Sequence, residues 1–159
     1  MTRLGPAELA AYVAARAARG RVLHLEQPTR TVSEAARALG VHPQRIVKSL
    51  LFHADDGQAL LAIVRGDQRV DPERLARVAG KQRVELAPAV EVVAVTGYPA
   101  GATPPVGHRA PLPVFVDPAV LEESVVYGGG GDERSMLEIP TEDLVRLTGA
   151  TVAPISRVD

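Results

Sequence analysis

The stretch Ile46-Val-Lys-Ser-Leu-Leu-Phe52, followed by the turn Asp55-Asp-Gly57 and the apolar run 59–64, decides the fold of this chain. Two apolar runs that flank an Asp-Gly turn are typical of a β-hairpin, which we predict over residues 47–64. Because side chains alternate between the two faces of a strand, Lys48 shares its face with apolar neighbours. Neither face of this strand is therefore cleanly polar.

Helix and strand signals alternate along the remainder of the chain. Helices are predicted from Pro6, from the capping-box pattern Thr31-Val-Ser-Glu34, from Asp71-Pro72, from Asp117-Pro118 and over 141–148. Strands are predicted over 84–86, 112–116, 125–127, 136–139 and 151–155. The valine-rich segment 88–96 is compatible with either state. The elements mix without a regular βαβ period, so we predict one domain over residues 1–159, with an α+β or mixed α/β fold and a largely antiparallel sheet.

The composition excludes several classes of protein. The chain has no cysteine, which excludes a disulfide framework, a thiolate metal site and a cysteine nucleophile. Its 18 Lys+Arg residues are balanced by 19 Asp+Glu residues, so the chain as a whole is not a basic polymer binder. No stretch approaches the roughly 20 apolar residues that cross a bilayer, and no targeting segment is visible. We therefore expect a soluble, cytoplasmic protein with no membrane partner.

The common catalytic motifs are absent as well. There is no Gly-Lys-Ser/Thr phosphate loop and no Gly-x-Ser-x-Gly elbow. The four histidines are far apart and lack paired metal spacing. We therefore expect no metal, no cofactor and no conventional hydrolase triad.

Three features remain to carry function, and each also has an ordinary structural explanation. Lys48 either snorkels to water from the strand entrance or pairs with an anionic ligand. The Gly/Pro-rich loop 97–108 either connects two elements or aims backbone N–H groups at an oxygen atom. The glycine run 128–131 either forms a flexible turn or lies against a ligand that leaves no room for a side chain.

Taken together, these features resemble the YbaK/ProX family of aminoacyl-tRNA deacylases, which includes the editing domain inserted in many bacterial prolyl-tRNA synthetases. The matching stretches stand in the family's order over roughly residues 20–155. They are Ala35-Ala36, Leu39-Gly40-Val41, Ile46-Val-Lys48-Ser-Leu50, Gly66-Asp67-x-Arg-Val-Asp71, Thr96-Gly97-Tyr98, Gly101-x-x-x-Pro105-x-Gly107, Leu112-Pro113, Val126-Tyr127 with Gly131, and Asp143-Leu144.

The resemblance implies a freestanding trans-editing deacylase that hydrolyses the ester between a wrong amino acid and the 3′ end of a tRNA, most often tRNA(Pro). It implies a mostly antiparallel, barrel-like sheet flanked by helices. It assigns catalysis to Lys48 and Gly101. It assigns substrate binding to Ser49, Ala102, Thr103, Pro105, Gly107 and Gly131. An aminoacyl ester is already activated, so positioning and backbone donors can supply most of the acceleration, with water or a substrate group as the nucleophile.

Departures from the family pattern bear on specificity. Cysteine-type members carry a tyrosine near Leu25 and an acidic residue near Leu137, so alanine is at least as plausible a substrate as cysteine. Ala102 stands where a second loop glycine is frequent, and Val106 where a larger apolar residue is common. The expected partners are the acceptor end of a misacylated tRNA and, as a candidate, prolyl-tRNA synthetase; the oligomeric state stays open. Candidate tRNA-contacting cations are Arg16, Arg19, Arg21, Lys81 and Arg83.

Two other functions are compatible with the same residues. The first is a non-catalytic module that binds a tRNA 3′ end or a nucleotide and docks on a synthetase. The second is a small ester or amide hydrolase unrelated to tRNA.

Overall fold

The computed structural model describes residues 2–157, which form two β-sheets and five α-helices. The helices are α1 (Pro6–Ala15), α2 (Val32–Leu39), α3 (Pro72–Ala79), α4 (Ala89–Thr96) and α5 (Thr141–Thr148). The strands are β1 (Arg21–His24), β2 (Val47–Ala54), β3 (Ala59–Arg65), β4 (Val84–Leu86), β5 (Val114–Val116), β6 (Val125–Gly129), β7 (Ser135–Pro140) and β8 (Thr151–Val152). Short 3-10 helices cover Pro43–Arg45 and Pro118–Glu122.

The predicted helix starts are confirmed, although α1 ends at Ala15, before the Gly20 at which its sequence pattern predicts a stop. Capping residues set the boundaries of α2 and α3. Thr31 accepts a hydrogen bond from the N–H of Glu34 at 3.0 Å, and Gly40 ends α2 in the left-handed conformation at φ +68°. The carboxylate of Asp71 caps α3 in the same way. The ambiguous segment 88–96 contains helix α4. Strand β1 was not anticipated from its sequence.

The predicted hairpin is confirmed and forms the centre of a five-stranded sheet. The strand order is β4-β2-β3-β5-β8. β2 pairs with β3 in antiparallel register, with Lys48 opposite Val64, and β4 pairs only with the final part of β2, from Phe52 to Ala54. β5 and β8 continue the sheet in parallel.

Both faces of this sheet are buried. Leu51 and Ile63 on one face pack against Leu137 of a second sheet, whose order is β1-β7-β6. Phe52 on the opposite face packs against α3 through Leu75. Burial on both faces explains why β2 and β3 read as nearly continuous apolar runs rather than as alternating strands.

The barrel-like closure expected from the resemblance is wrong, although most strand pairs are antiparallel as predicted. The two sheets remain separate and meet at a parallel bridge between Ile46 and Tyr127. Just beyond this bridge, Lys48 of β2 and Gly129 of β6 line a cavity. None of the helices within residues 2–157 has the length and apolar character required to cross a bilayer.

Candidate active site

The cavity between β2 and β6, called here the first cavity, has a volume of about 210 Å³. β2 contributes Lys48 and Ser49, and the loop 97–108 contributes Gly101 and Thr103. These four residues are separated by some fifty positions in the sequence, and the fold brings them to one cavity. The remaining wall comes from residues 29–31 before α2, from the start of α2 and from apolar side chains, including Met136.

Lys48 is partly buried in this wall and has no carboxylate partner within residues 2–157. Burial lowers the pKa of Lys48, the positive charge of Arg69 lowers it further, and Asp67 opposes the shift. Asp67 is already bound by Arg65, whose Nε lies 2.6 Å from the Asp67 carboxylate. Lys48 is therefore a cation available to an anionic or carbonyl group of a ligand.

Ser49 provides a second unused polar group at the first cavity. Its hydroxyl oxygen is enclosed and makes no hydrogen bond to any of residues 2–157. An unsatisfied buried hydroxyl costs about 1–3 kcal/mol, so its presence calls for an explanation. The oxygen is enclosed by protein atoms, so a ligand in the cavity would have to displace some of them to reach it.

The loop 97–108 is held by its own hydrogen bonds. Thr96, just before it, donates to the carbonyl of Val92 at 2.7 Å and accepts the N–H of Tyr98 at 3.0 Å. Thr103 donates to the Pro99 carbonyl at 3.1 Å. His108 Nε2 donates to the Pro104 carbonyl at 2.7 Å; burial lowers the pKa of His108, and this hydrogen bond opposes the shift.

Two backbone donors of this loop stay free beside the first cavity. Gly101 adopts φ +86°, a conformation that L side chains avoid, and a Cβ atom there would meet nothing within 4 Å. The N–H of Ala102 is bound by the Pro99 carbonyl. Within residues 2–157 the N–H groups of Gly101 and Thr103 donate to no acceptor. Free donors on a rigid loop are what an oxyanion hole requires.

The glycine run 128–131 supports this loop from behind. A Cβ atom on Gly129 would lie 2.4 Å from the carbonyl oxygen of Thr103. The N–H of Gly131 donates to the carbonyl of Ala102 at 3.0 Å. These glycines therefore allow β6 to approach the loop closely. Within the run, Gly129 reaches the first cavity.

Four other residues predicted to bind substrate lie outside the first cavity. Ala102 and Gly131 line an adjoining, larger cavity of about 730 Å³, called here the second cavity. Pro105 packs against Gly128, and Gly107 lies against the ring of Tyr12. These four residues therefore contact or form the loop 97–108 at places other than the first cavity. No sequence pattern marked Arg30, Thr31 or Met136 as cavity residues, although Thr31 was predicted as a helix cap.

Leu25 and Leu137, the positions that bear on amino-acid specificity, lie in different environments. Leu137 is fully buried in the core between the sheets, while its neighbour Met136 faces the first cavity. Leu25 packs beside Met136 in a small apolar cluster with Ala35. The apolar wall of the cavity is therefore built by Met136 and Ala35 rather than by Leu137.

Most of the cations predicted to contact tRNA are engaged within the protein. Arg19 binds Asp143 at 3.0 Å, and Arg21 binds Glu138 at 2.8 Å. Lys81 binds Asp56 at 2.6 Å, and Arg16 stacks over the ring of Tyr12. These contacts favour structural roles for these cations over a shared phosphate-binding surface.

Comparison with known proteins assigns the arrangement to a family. The family model described as "Aminoacyl-tRNA editing domain" matches residues 26–147. The "Putative Cys-tRNA(Pro)/Cys-tRNA(Cys) deacylase EbsC" of Enterococcus faecalis is 25% identical over 126 residues, 79% of this chain and 77% of EbsC. A proline–tRNA ligase of Nitratidesulfovibrio vulgaris is 40% identical over 87 residues, which cover 55% of this chain and only 15% of the ligase.

A solved structure has the same fold over nearly the whole chain. It is described as "a putative trans-editing enzyme for prolyl tRNA synthetase", with 34% identity, a TM-score of 0.89, and coverage of 96% of this chain and 97% of that one. The matched range includes β2, the loop 97–108 and the glycine run, which together build the first cavity. The chain therefore belongs to the aminoacyl-tRNA editing domain family, the YbaK/ProX family of aminoacyl-tRNA deacylases.

Proposed function

We propose that this protein hydrolyses, in trans, the ester bond of misacylated tRNA, with a small amino acid such as alanine or cysteine on tRNA(Pro) as its substrate. The observation that carries this proposal is the meeting of Lys48, Ser49, Gly101 and Thr103 at one cavity. EbsC is named as a deacylase of Cys-tRNA(Pro), and the similar solved structure is named for prolyl-tRNA synthetase. Prolyl-tRNA synthetase is accordingly the partner that we propose.

The free groups at the first cavity have separate roles in the proposed reaction. The N–H groups of Gly101 and Thr103 stabilise the oxyanion that forms when a nucleophile adds to the ester carbonyl. Lys48 holds the ester region and the terminal nucleotide by its charge. Ser49 donates to or accepts from a polar group of the aminoacyl moiety.

The proposed reaction balances without a protein nucleophile. Water adds to the carbonyl carbon, the bond between that carbon and the ribose oxygen breaks, and the ribose oxygen leaves with a proton. The free amino acid carries away the oxygen of water. Since an aminoacyl ester is already activated, positioning and oxyanion stabilisation are sufficient contributions.

The size of the first cavity supports a small amino acid. Its volume is about 210 Å³, and its apolar wall includes Val32, Ala35 and Met136. An apolar pocket separates substrates that differ by one methylene by only about 1–3 kcal/mol. We therefore expect activity on both alanine and cysteine esters.

The test is deacylation of tRNA(Pro) charged separately with alanine, cysteine, serine and proline. We expect the alanyl and cysteinyl esters to be hydrolysed faster than the prolyl ester. Inhibition by uncharged tRNA distinguishes this activity from that of a general esterase, which tRNA would leave unaffected. Binding of tRNA without turnover of any ester would instead indicate a non-catalytic binding module and would refute the proposal.

A further inference from the structure

The loop 97–108 is closed at its base and bonded again within itself by a histidine. The N–H of Arg109 donates to the carbonyl of Thr96, the last residue of α4, at 2.8 Å. His108 therefore stands at the base of the loop, next to this bond. Its imidazole reaches back four residues, and Nε2 lies 2.7 Å from the carbonyl oxygen of Pro104. Because a carbonyl can only accept, Nε2 carries the hydrogen of this bond.

The bonded carbonyl belongs to a segment that has few backbone donors of its own. Pro104 and Pro105 follow one another, and neither has an N–H group. Their rings fix φ, so rotation about ψ is the main backbone freedom left to Pro104, and this rotation turns its carbonyl. Within residues 2–157 no backbone N–H donates to that carbonyl. The imidazole of His108 therefore sets the direction in which the chain leaves Pro104.

Thr103, whose N–H is free beside the first cavity, is held from the preceding side by the glycine run. The N–H of Gly131 donates to the carbonyl of Ala102 at 3.0 Å. The C=O and N–H of a trans peptide point in opposite directions, so this bond directs the N–H of Thr103 away from Gly131. His108 fixes the second peptide after Thr103. The free N–H group thus lies between two anchored peptides.

The imidazole of His108 lies outside the first cavity. It lines a third cavity of about 370 Å³, together with Tyr12 of α1 and Leu147 of α5. Of the described residues, none lines both the first and the third cavity. A substrate in the first cavity is therefore beyond the reach of His108, which can act on the reaction only through the loop.

We propose that His108 is a positioning residue of the deacylase, an inference that rests on the function proposed above. Its hydrogen bond to Pro104 holds the N–H of Thr103 at the place where the oxyanion forms. An oxyanion donor must lie within about 2.7–3.1 Å of that oxygen, so a loop that turns freely at Pro104 spends less time in the productive geometry. The bond therefore contributes to the chemical step and little to the binding of tRNA.

The test replaces His108 by two side chains of similar length that differ in one donor. Gln carries an amide NH2 group near the position of Nε2, whereas Met has no donor. We expect His108→Met to lower kcat for alanyl-tRNA(Pro) by about 10- to 100-fold, with KM changed by less than about twofold, because a reacting geometry is displaced while binding is kept. His108→Gln should restore kcat to within about threefold of the wild type, since it remakes the bond.

Two further variants separate positioning from stability. Leu147→Ala removes apolar contacts from the same cavity, so it should lower the melting temperature and leave kcat unchanged. His108→Asn has an amide that is too short to reach Pro104, so it should match His108→Met and replaces it if that variant does not fold.

The outcomes distinguish this inference from the proposed function. An unchanged kcat in His108→Met, a loss confined to KM, or equal losses in His108→Met and His108→Gln would overturn the inference and leave the deacylase intact. A wild-type protein that hydrolyses none of the esters would refute the proposed function itself.

The hydrogen bond can also be measured without any variant. Nuclear magnetic resonance of the wild-type protein with ¹⁵N-labelled histidine identifies the ring nitrogen that carries the hydrogen. We expect the Nε2–H tautomer for His108 at neutral pH. The Nδ1–H tautomer would leave Pro104 without its donor and would overturn the inference.

Discussion

The titratable side chains in the two halves of β2 differ in whether they have ion-pair partners. In the first half, Lys48 faces the first cavity without a partner among residues 2–157, and its pKa is lowered by burial. In the second half, His53 lies 2.9 Å from Glu91 of α4 and 3.6 Å from Glu85 of β4. These carboxylates raise the pKa of His53. β4 covers only the second half of the strand, so the same strand is completed at one end and left open at the other.

The difference separates stability from function within one element. A polar group that has found its partners contributes to the folded state, whereas a polar group left without partners costs free energy that a ligand can recover. By this criterion His53 is structural, whereas Lys48 and Ser49 are residues that the proposed function places in the reaction. Substitutions at these three residues test whether function and stability separate along β2 in this way.

The largest expected effect is on Lys48. Lys48→Ala should lower kcat/KM for alanyl-tRNA(Pro) by about 100-fold, the scale observed when one electrostatic donor is removed from a reaction centre. The melting temperature should not fall, because the lysine has no ion pair to lose. Lys81→Ala, which removes a lysine that is paired with Asp56, is the matched control and should keep full activity. An undiminished rate in Lys48→Ala would remove this residue from the mechanism.

The pH dependence of the reaction should show the lowered pKa of Lys48. Its ammonium loses its proton as the pH rises through a value below the ordinary 10.5. Each pH unit above that value should cost about tenfold of the rate that depends on the charge. The measurement is kcat/KM from pH 7 to 10 after subtraction of uncatalysed hydrolysis. Lys48→Arg, which stays charged, should lack this alkaline decline, and identical profiles would contradict the assignment.

A smaller effect is expected at Ser49. Ser49→Ala removes one hydrogen bond to the substrate, so KM should rise by about two- to tenfold. Because the hydroxyl has no protein partner among the described residues, the melting temperature should stay the same or rise slightly. Ser124→Ala, at an exposed position, serves as the control. A clear loss of stability in Ser49→Ala would show that the hydroxyl is structural.

The smallest effect is expected at His53, and it concerns stability alone. The pKa of His53 is raised in the folded state, so the stabilisation from its ion pairs is complete below the unfolded value of about 6.5. It is lost as the pH rises through the folded value. The melting temperature of the wild type should therefore fall by ~1–3 °C more than that of His53→Gln between pH 5.5 and 8. Deacylation by His53→Gln should be unchanged. A loss of activity would contradict the purely structural role assigned to His53.

Local signals in the sequence predicted the local structure well. The Asp-Gly turn fixed the hairpin, and the cap at Thr31 with the glycine at Gly40 fixed α2, because these effects act within a few residues. The short strand β1 was missed. It has no flanking turn signal strong enough to mark it, and its pairing with β7 depends on residues more than a hundred positions away.

The candidate site was predicted in part. Lys48, Ser49, Gly101 and Thr103 do meet at one cavity, as the family resemblance implied. The open gap between the sheets could not be predicted, since it depends on how closely Gly129 approaches Thr103 across the fold. Arg30 was missed for a similar reason, because nothing in its local sequence distinguishes it from a solvated arginine.

The gap beside Lys48 also leaves part of the β2 backbone without a strand partner. A strand whose backbone is unpaired along one edge invites a strand from another molecule, and this is a common route to aggregation. A lysine on such an edge is one of the devices that discourage it. Replacing Lys48 by an apolar residue would therefore remove a deterrent to intermolecular strand pairing along with the charge that the proposed function uses. The same ammonium group would bind a nucleotide and disfavour pairing with a strand of another copy of the chain.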